Sequence, residues 1–127
     1  MHIEHFNISA PLELLERLKE FYCELFELEE GFRPPFSRAG YWLYSGGNAL
    51  IHLTESIEHF PSEKTSYFDH ITFQLTGLKK LLEKLENLGI KYTTDHLPEI
   101  GMTQIFFKDP AGIGLEANFI NERLPAS

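Results

Sequence analysis

The sequence runs through one order of predicted elements twice, and this repeat constrains the fold more than any other feature. Residues 2–8 alternate like a strand, an apolar stripe at helical spacing follows between Leu14 and Phe26, and roughly three short strands come next. From residue 68 the order returns, with the alternating stretch FDHITFQL, a leucine-rich helical stripe and three more short strands. The repeat therefore predicts an internal duplication.

The predicted class is α+β, built from two βαβββ modules. The modules cover about residues 1–56 and 67–120, and the polar residues 55–67 between them form a predicted linker. A chain of 127 residues is the size of one ordinary domain, so we expect a single domain over residues 1–127.

Four residues that can bind a metal ion occupy matching positions in the two modules. His5 and His70 are 65 residues apart and lie in the first predicted strand of each module. His52 and Glu116 are 64 residues apart and lie in the last. Because residues two apart in a strand share a face, each of the four lies opposite most of the apolar residues of its strand, although Ile3 shares the face of His5 and Leu50 that of His52. If the polar faces curl into a trough, the four side chains converge.

Three imidazoles and one carboxylate are suitable ligands for Zn²⁺, Fe²⁺, Mn²⁺, Ni²⁺ or Co²⁺. A buried carboxylate is costly without a partner, and a cation removes that cost. The sequence therefore predicts one divalent metal ion held by His5, His52, His70 and Glu116. The alternative is a polar concave face that is lined by histidines and holds no metal.

Charge and cysteine content narrow the class of protein. The formal net charge of -8 argues against binding to nucleic acid or to an anionic membrane, since both need clustered positive charge. No run approaches the roughly 20 apolar residues that span a bilayer, and the first residues do not resemble a signal peptide. Cys23 is the only cysteine, which favours a reducing compartment. We expect a cytoplasmic enzyme that acts on a small molecule.

Several motifs resemble the vicinal oxygen chelate superfamily, which includes glyoxalase I, extradiol dioxygenases and bleomycin-resistance proteins. They are IEHFNI with His5, the helical FYCELF, FDHITF with His70, and FFKDPAGIGLEANF with Glu116. The resemblance spans about residues 1–120. It implies that the paired modules form an open eight-stranded mixed barrel around a divalent metal, with ligands in the first and last strands of each module. It also implies a homodimer.

The resemblance leaves three functions open. The first is a metal-dependent lyase or isomerase of the glyoxalase type, acting on a substrate chelated through neighbouring oxygens. The second is a non-haem Fe(II) extradiol-type dioxygenase, for which His5, His70 and Glu116 match the metal triad. The third is a metal-free protein that binds a small molecule, as bleomycin-resistance proteins do.

Residue roles follow from the same comparison. His52 stands where glyoxalase I usually has a glutamate, which weakens the assignment to methylglyoxal and glutathione. His52 and Glu116 are the candidate catalytic bases. Gln104 is a candidate substrate hydrogen-bonding residue, with an ordinary polar strand residue as its alternative. Arg33 is a candidate partner for an anionic substrate group, with a surface salt bridge as its alternative.

Overall fold

The computed structural model describes residues 2–57 and 70–124. Its contacts divide the chain into two units, Met1–Lys64 and Thr65–Ser127. The first unit contains β1 (Phe6–Ala10), α1 (Leu12–Phe26), β2 (Glu29–Gly31), β3 (Gly40–Ser45) and β4 (Asn48–Glu55). The second contains β5 (His70–Leu75), α2 (Leu78–Asn87), β6 (Thr93–Leu97), a short 3-10 turn (Pro98–Ile100), β7 (Met102–Lys108) and β8 (Gly114–Ile120).

Both units have the same topology. The strand order is β1-β4-β3-β2 in the first sheet and β5-β8-β7-β6 in the second. In each unit the first and last strands pair in parallel, and the remaining pairs are antiparallel. The α+β class and the two βαβββ modules are therefore confirmed. Most of the predicted linker, residues 55–67, lies outside the described residues.

The helix of the first unit forms because its apolar residues recur at helical spacing. Its buried residues are Leu14, Leu15, Leu18, Tyr22 and Leu25. The helix ends where Glu27 adopts a left-handed conformation with φ of 57°. In the second unit the buried residues of α2 are Leu78, Leu81, Leu82 and Leu85.

The alternation of strand residues sorts each sheet into two faces, as the sequence predicts. In β4 the neighbours of His52, Ile51 and Leu53, are 1% and 0% exposed. In β8 the residues on either side of Glu116, Leu115 and Ala117, are both 1% exposed. The candidate site residues of β4 and β8 therefore lie on the face opposite the core.

Two predicted strands have shifted boundaries. The first strand begins at Phe6 rather than at residue 2, so His5 directly precedes β1 instead of lying within it. The strand predicted for residues 90–94 is observed at Thr93–Leu97. No helix within residues 2–57 and 70–124 combines the length and the apolar character needed to cross a membrane.

Candidate metal and substrate site

His52 lies at the centre of a stack of three rings in the first unit. It pairs with Trp42 across β3 and β4, and the two ring centroids are 4.1 Å apart with planes inclined by 10°. On the other side the ring of His5 stacks on His52 at 3.8 Å, with planes inclined by 12°. The structure therefore brings His5 and His52 together, as the sequence predicts for this module.

The two histidines of this stack differ in exposure. The side chain of His5 is 38% exposed, and its Nδ1 lies 3.2 Å from Oε1 of Glu4. His52 is half-buried, and burial lowers its pKa below the ordinary value, with a further lowering from the charge of His5. His52 is therefore neutral at neutral pH, which is the form of imidazole that binds metal ions.

The second unit brings His70 and Glu116 together. His70 is the first residue of β5, and Glu116 lies in β8, where it pairs with Thr72. Nε2 of His70 lies 3.3 Å from Oε1 of Glu116. Gln104 in β7 donates a hydrogen bond of 3.1 Å from Nε2 to the other carboxylate oxygen, Oε2. The Glu116 side chain is only 7% exposed. Each of its two carboxylate oxygens therefore has a polar partner in place of water.

The donor atoms come as two pairs, one in each unit. Within residues 2–57 and 70–124, no group of three or more His, Cys, Asp or Glu side chains is arranged to hold a metal ion. The pair of His70 and Glu116 fits a cation, because ligand atoms about 2 Å from one tetrahedral ion lie about 3.3 Å apart.

The pair of His5 and His52 fits a shared cation only after one ring turns. The lone pair of an imidazole nitrogen lies in the ring plane, and the two planes are nearly parallel at 12°. His5 is the ring that can turn, since it is exposed and precedes the strand. His5 and His52 both carry nitrogen donors suited to a metal ion, but the two can bind one cation only if the ring of His5 turns out of the stack.

Two buried polar atoms have no hydrogen-bond partner among residues 2–57 and 70–124. One is Oδ1 of Asn118, two residues after Glu116 in β8, and the other is Nε of Arg33. No carboxylate of the described residues lies within ion-pair distance of Arg33.

A cavity of about 630 Å³ opens beside His70 in the second unit. Its wall includes Tyr92 and Phe106, and two lysines, Lys91 and Lys108, contribute positive charge. Its volume is in the range that holds a small ligand. Because His70 is part of the wall, the cavity adjoins the pair of His70 and Glu116.

Trp42 is a site residue that the sequence reasoning missed. The segment YWLY predicts a strand, and the observed strand confirms it. Nothing in that segment indicates that Trp42 would contact a candidate metal ligand. The contact between Trp42 and His52 follows only from the pairing register of β3 and β4, and that register depends on an irregularity in β3.

Comparison with known families places most of the chain in one superfamily. Residues 2–117 match the family model of the Glyoxalase/Bleomycin resistance protein/Dioxygenase superfamily. A comparison with curated proteins gives no match.

Solved structures share the fold at low sequence identity. A glyoxalase family protein from Bacillus anthracis is 24% identical with a TM-score of 0.72, covering 94% of this chain and 95% of its own. The fosfomycin resistance protein FosX from Listeria monocytogenes is 17% identical with a TM-score of 0.72, covering 94% of this chain and 93% of its own. Lactoylglutathione lyase from Agrobacterium tumefaciens is 19% identical with a TM-score of 0.66, covering 93% and 92%. At these identities the likeness concerns the fold, and it agrees with the family match. The chain belongs to the Glyoxalase/Bleomycin resistance protein/Dioxygenase superfamily.

Proposed function

We propose that this protein is a divalent-metal-dependent lyase or isomerase of the glyoxalase type. Its ligands are His5, His52, His70 and Glu116, and its substrate is a small molecule chelated through neighbouring oxygens. The observation that carries the proposal is the 3.3 Å separation of Nε2 of His70 and Oε1 of Glu116. An imidazole beside a buried carboxylate on an open sheet face is a ready pair of donors.

When bound, a divalent cation stabilises negative charge that grows on substrate oxygens. The chain supplies the remaining functions. A base has to reach the proton next to the substrate carbonyl. His52 would take this role if it is not firmly bound to the metal, and Glu116 would take it if it leaves the metal transiently. Gln104 holds Oε2 of Glu116 with one amide hydrogen, and its second amide hydrogen is available to a substrate oxygen.

Two similar proteins support this class of function. The Listeria FosX protein has also been solved as a variant in complex with Mn(II) and 1S,2S-dihydroxypropylphosphonic acid. The Agrobacterium protein is named a lactoylglutathione lyase. Both have the fold of this chain, so a metal-dependent reaction on a small oxygen-rich molecule is compatible with the fold.

The test is metal stoichiometry in matched variants. The purified chain is expected to hold one divalent ion by mass spectrometry, and His70→Ala and Glu116→Gln are expected to lower its affinity by roughly 10- to 100-fold or more. His2→Ala is the control, because His2 is an exposed histidine outside the proposed site. Equal loss in the control, or metal binding that survives both site variants, contradicts the ligand set.

Solvent deuterium exchange tests the reaction class. The metal-loaded chain is expected to exchange the proton next to the carbonyl of a 2-oxo or thioester substrate, and Glu116→Gln is expected to slow that exchange. If 2-oxo and thioester panels show no exchange, the lyase or isomerase assignment is wrong.

A dioxygenase is the second candidate, and the ring stack favours it. His52 is held between His5 and Trp42, which leaves His5, His70 and Glu116 as a two-histidine, one-carboxylate set suited to Fe²⁺. This function predicts that iron-loaded protein consumes O₂ with catechols and that His52→Ala retains iron.

A metal-free binding protein is the third candidate. His5 ends the ring stack and its side chain is 38% exposed, so the outer face of its ring offers a flat aromatic surface for a small molecule. This function predicts that small-molecule binding is unchanged when divalent ions are removed by a chelator.

We also propose that the protein is a cytoplasmic homodimer that acts without nucleic acid or membrane partners. The single cysteine and the net charge of -8 support the location and the lack of these partners. Light scattering tests the dimer, and a monomer at micromolar concentration contradicts that part alone.

A further inference from the structure

We infer that Arg33, with Phe36 and Trp42, forms a subsite for the carboxylate group of the substrate. This inference rests on the proposed function and names its substrate class as small carboxylates with a flat body. It starts from an arginine that has no carboxylate within ion-pair distance among residues 2–57 and 70–124, in a protein of net charge -8.

The guanidinium of Arg33 is held in place by its own loop. Nη1 donates a 3.0 Å hydrogen bond to the carbonyl oxygen of Arg38. The guanidinium carbon lies 4.9 Å from the centroid of the Phe36 ring. It also lies 3.0 Å from where a Cβ on Gly40 would stand, so the absence of that atom makes room for it. A group fixed in this way loses little further freedom when it binds a ligand.

One donor of this fixed group lacks an acceptor. Nε is buried and makes no hydrogen bond to the described residues, which carries a free-energy cost for a polar group removed from water. Nε and Nη2 form the edge of the guanidinium that carries two parallel N–H groups. The two oxygens of a carboxylate match that edge, and a single arginine balances a single carboxylate charge. An acceptor that reaches this edge would remove the cost.

The exposed ring of Phe36 lies against the guanidinium of Arg33. Its side chain is 55% exposed although it is a large apolar ring, and it covers the guanidinium from one side. Exposed side chains change rotamer on the picosecond to nanosecond scale, so the ring can move aside and then pack on a ligand.

A chain of ring contacts joins Arg33 to the proposed metal ligands. Phe36 lies 6.2 Å from Trp42, and Trp42 stacks on His52 at 4.1 Å. A carboxylate on Arg33 would therefore place the rest of a small, flat molecule along Trp42 towards His52.

The test compares benzoate with benzamide, which has the same shape and no charge. Trp42 is the only tryptophan, so its fluorescence reports ligand binding at this subsite, and saturation-transfer NMR gives a second readout. In chelator-treated full chain, benzoate is expected to bind at least about tenfold more tightly than benzamide. Equal binding of the two, or no binding of benzoate, overturns the inference.

Matched variants assign the preference to Arg33. Arg33→Met is expected to abolish it, and Arg33→Lys is expected to keep the charge but weaken benzoate about threefold to tenfold because the fork is lost. Arg17→Met is the control, since Arg17 is an exposed residue of α1 and its loss changes the net charge equally. Equal loss in Arg17→Met and Arg33→Met overturns the inference. If Arg33→Met has an altered thermal melting curve, the benzoate affinity of Arg33→Lys decides the test instead.

Failure of this inference is distinguishable from failure of the proposed function. Benzoate binding is measured without metal, whereas the metal site is tested by stoichiometry in His70→Ala and Glu116→Gln. Inorganic phosphate serves as a third probe, and phosphate binding as tight as that of benzoate overturns the assignment to carboxylates.

Discussion

Trp42 and His52 face each other across β3 and β4 with their ring centroids 4.1 Å apart and their planes within 10° of parallel. This contact ties the only tryptophan of the chain to a candidate metal ligand or base. A protonated imidazole quenches the fluorescence of an indole in contact with it. The protonation of His52 is therefore observable without any substrate.

Fluorescence titration of chelator-treated protein is expected to show quenching with a midpoint below 6.5, the ordinary pKa of histidine. Burial and the charge of His5 lower the pKa of His52. The folded state disfavours protonation of His52. The contribution of neutral His52 to stability is therefore complete above pH 6.5 and is lost as the pH falls towards the lowered pKa. His5→Ala is expected to raise the midpoint, because it removes both a nearby charge and a covering ring. A midpoint above 6.5, or one that His52→Ala leaves unchanged, contradicts this prediction.

The register behind this contact explains why the sequence could not show it. A regular hairpin from the turn at Gly46 and Gly47 would place Trp42 opposite Ile51, on the core side. The register shifts by one residue between Leu43 and Tyr44, and this irregularity places Trp42 opposite His52 instead. A shift of one residue moves a side chain to the other face of the sheet. No residue type in YWLY marks that shift, so the sequence predicted the strand but not its partner.

The second unit was easier to predict. Here β7 and β8 pair without an irregularity, and strict alternation places Gln104, Glu116 and Asn118 on one face. The sequence could therefore group Glu116 and His70 by the strand face that each occupies and by their positions in the first and last strands of the module. What spacing could not show is the hydrogen bond from Gln104 to Glu116, because it depends on the register between β7 and β8.

Gln104→Leu tests the importance of that hydrogen bond for the buried carboxylate. The substitution leaves Oε2 of Glu116 without its donor, which is expected to lower the free energy of unfolding by about 1–3 kcal/mol in urea titrations. Gln74→Leu is the matched control, because Gln74 lies exposed on β5, and it is expected to change stability by less than about 0.5 kcal/mol. Equal effects of the two variants would show that Gln104 does not support Glu116.

Gly40→Ala tests the close approach at the start of β3. An added Cβ would stand 2.1 Å from the carbonyl oxygen of Leu53 and 3.0 Å from the guanidinium of Arg33. The expected loss is about 1–3 kcal/mol of unfolding free energy, together with weaker benzoate binding as Arg33 is displaced. Gly47→Ala is the control, since a Cβ there meets nothing within 4 Å. A neutral Gly40→Ala variant would show that the backbone at this position has room to move.

A charged hydrogen bond between α1 and β3 predicts a specific pH dependence of stability. The hydroxyl of Tyr41 donates to Oε1 of Glu16. This bond lowers the pKa of Glu16, with help from Lys19, and it is the largest cause of the raised pKa of Tyr41. The pair is therefore stabilising only while Glu16 is ionised and Tyr41 is protonated.

Stability from this pair is complete above the ordinary Glu16 value of 4.5 and is lost as the pH falls through the lowered pKa. At the alkaline end it is complete below the ordinary Tyr41 value of 10.0 and is lost as the pH rises through the raised pKa. The difference in unfolding free energy between wild type and Tyr41→Phe is thus expected to be largest near neutral pH and to shrink at both ends.

Tyr44→Phe is the control, because the hydroxyl of Tyr44 donates to the carbonyl of Phe32, which does not titrate. That control is expected to lose about 1 kcal/mol to the same extent from pH 3 to pH 7. If Tyr41→Phe shows the same flat difference as Tyr44→Phe, the bond to Glu16 does not contribute to acid sensitivity.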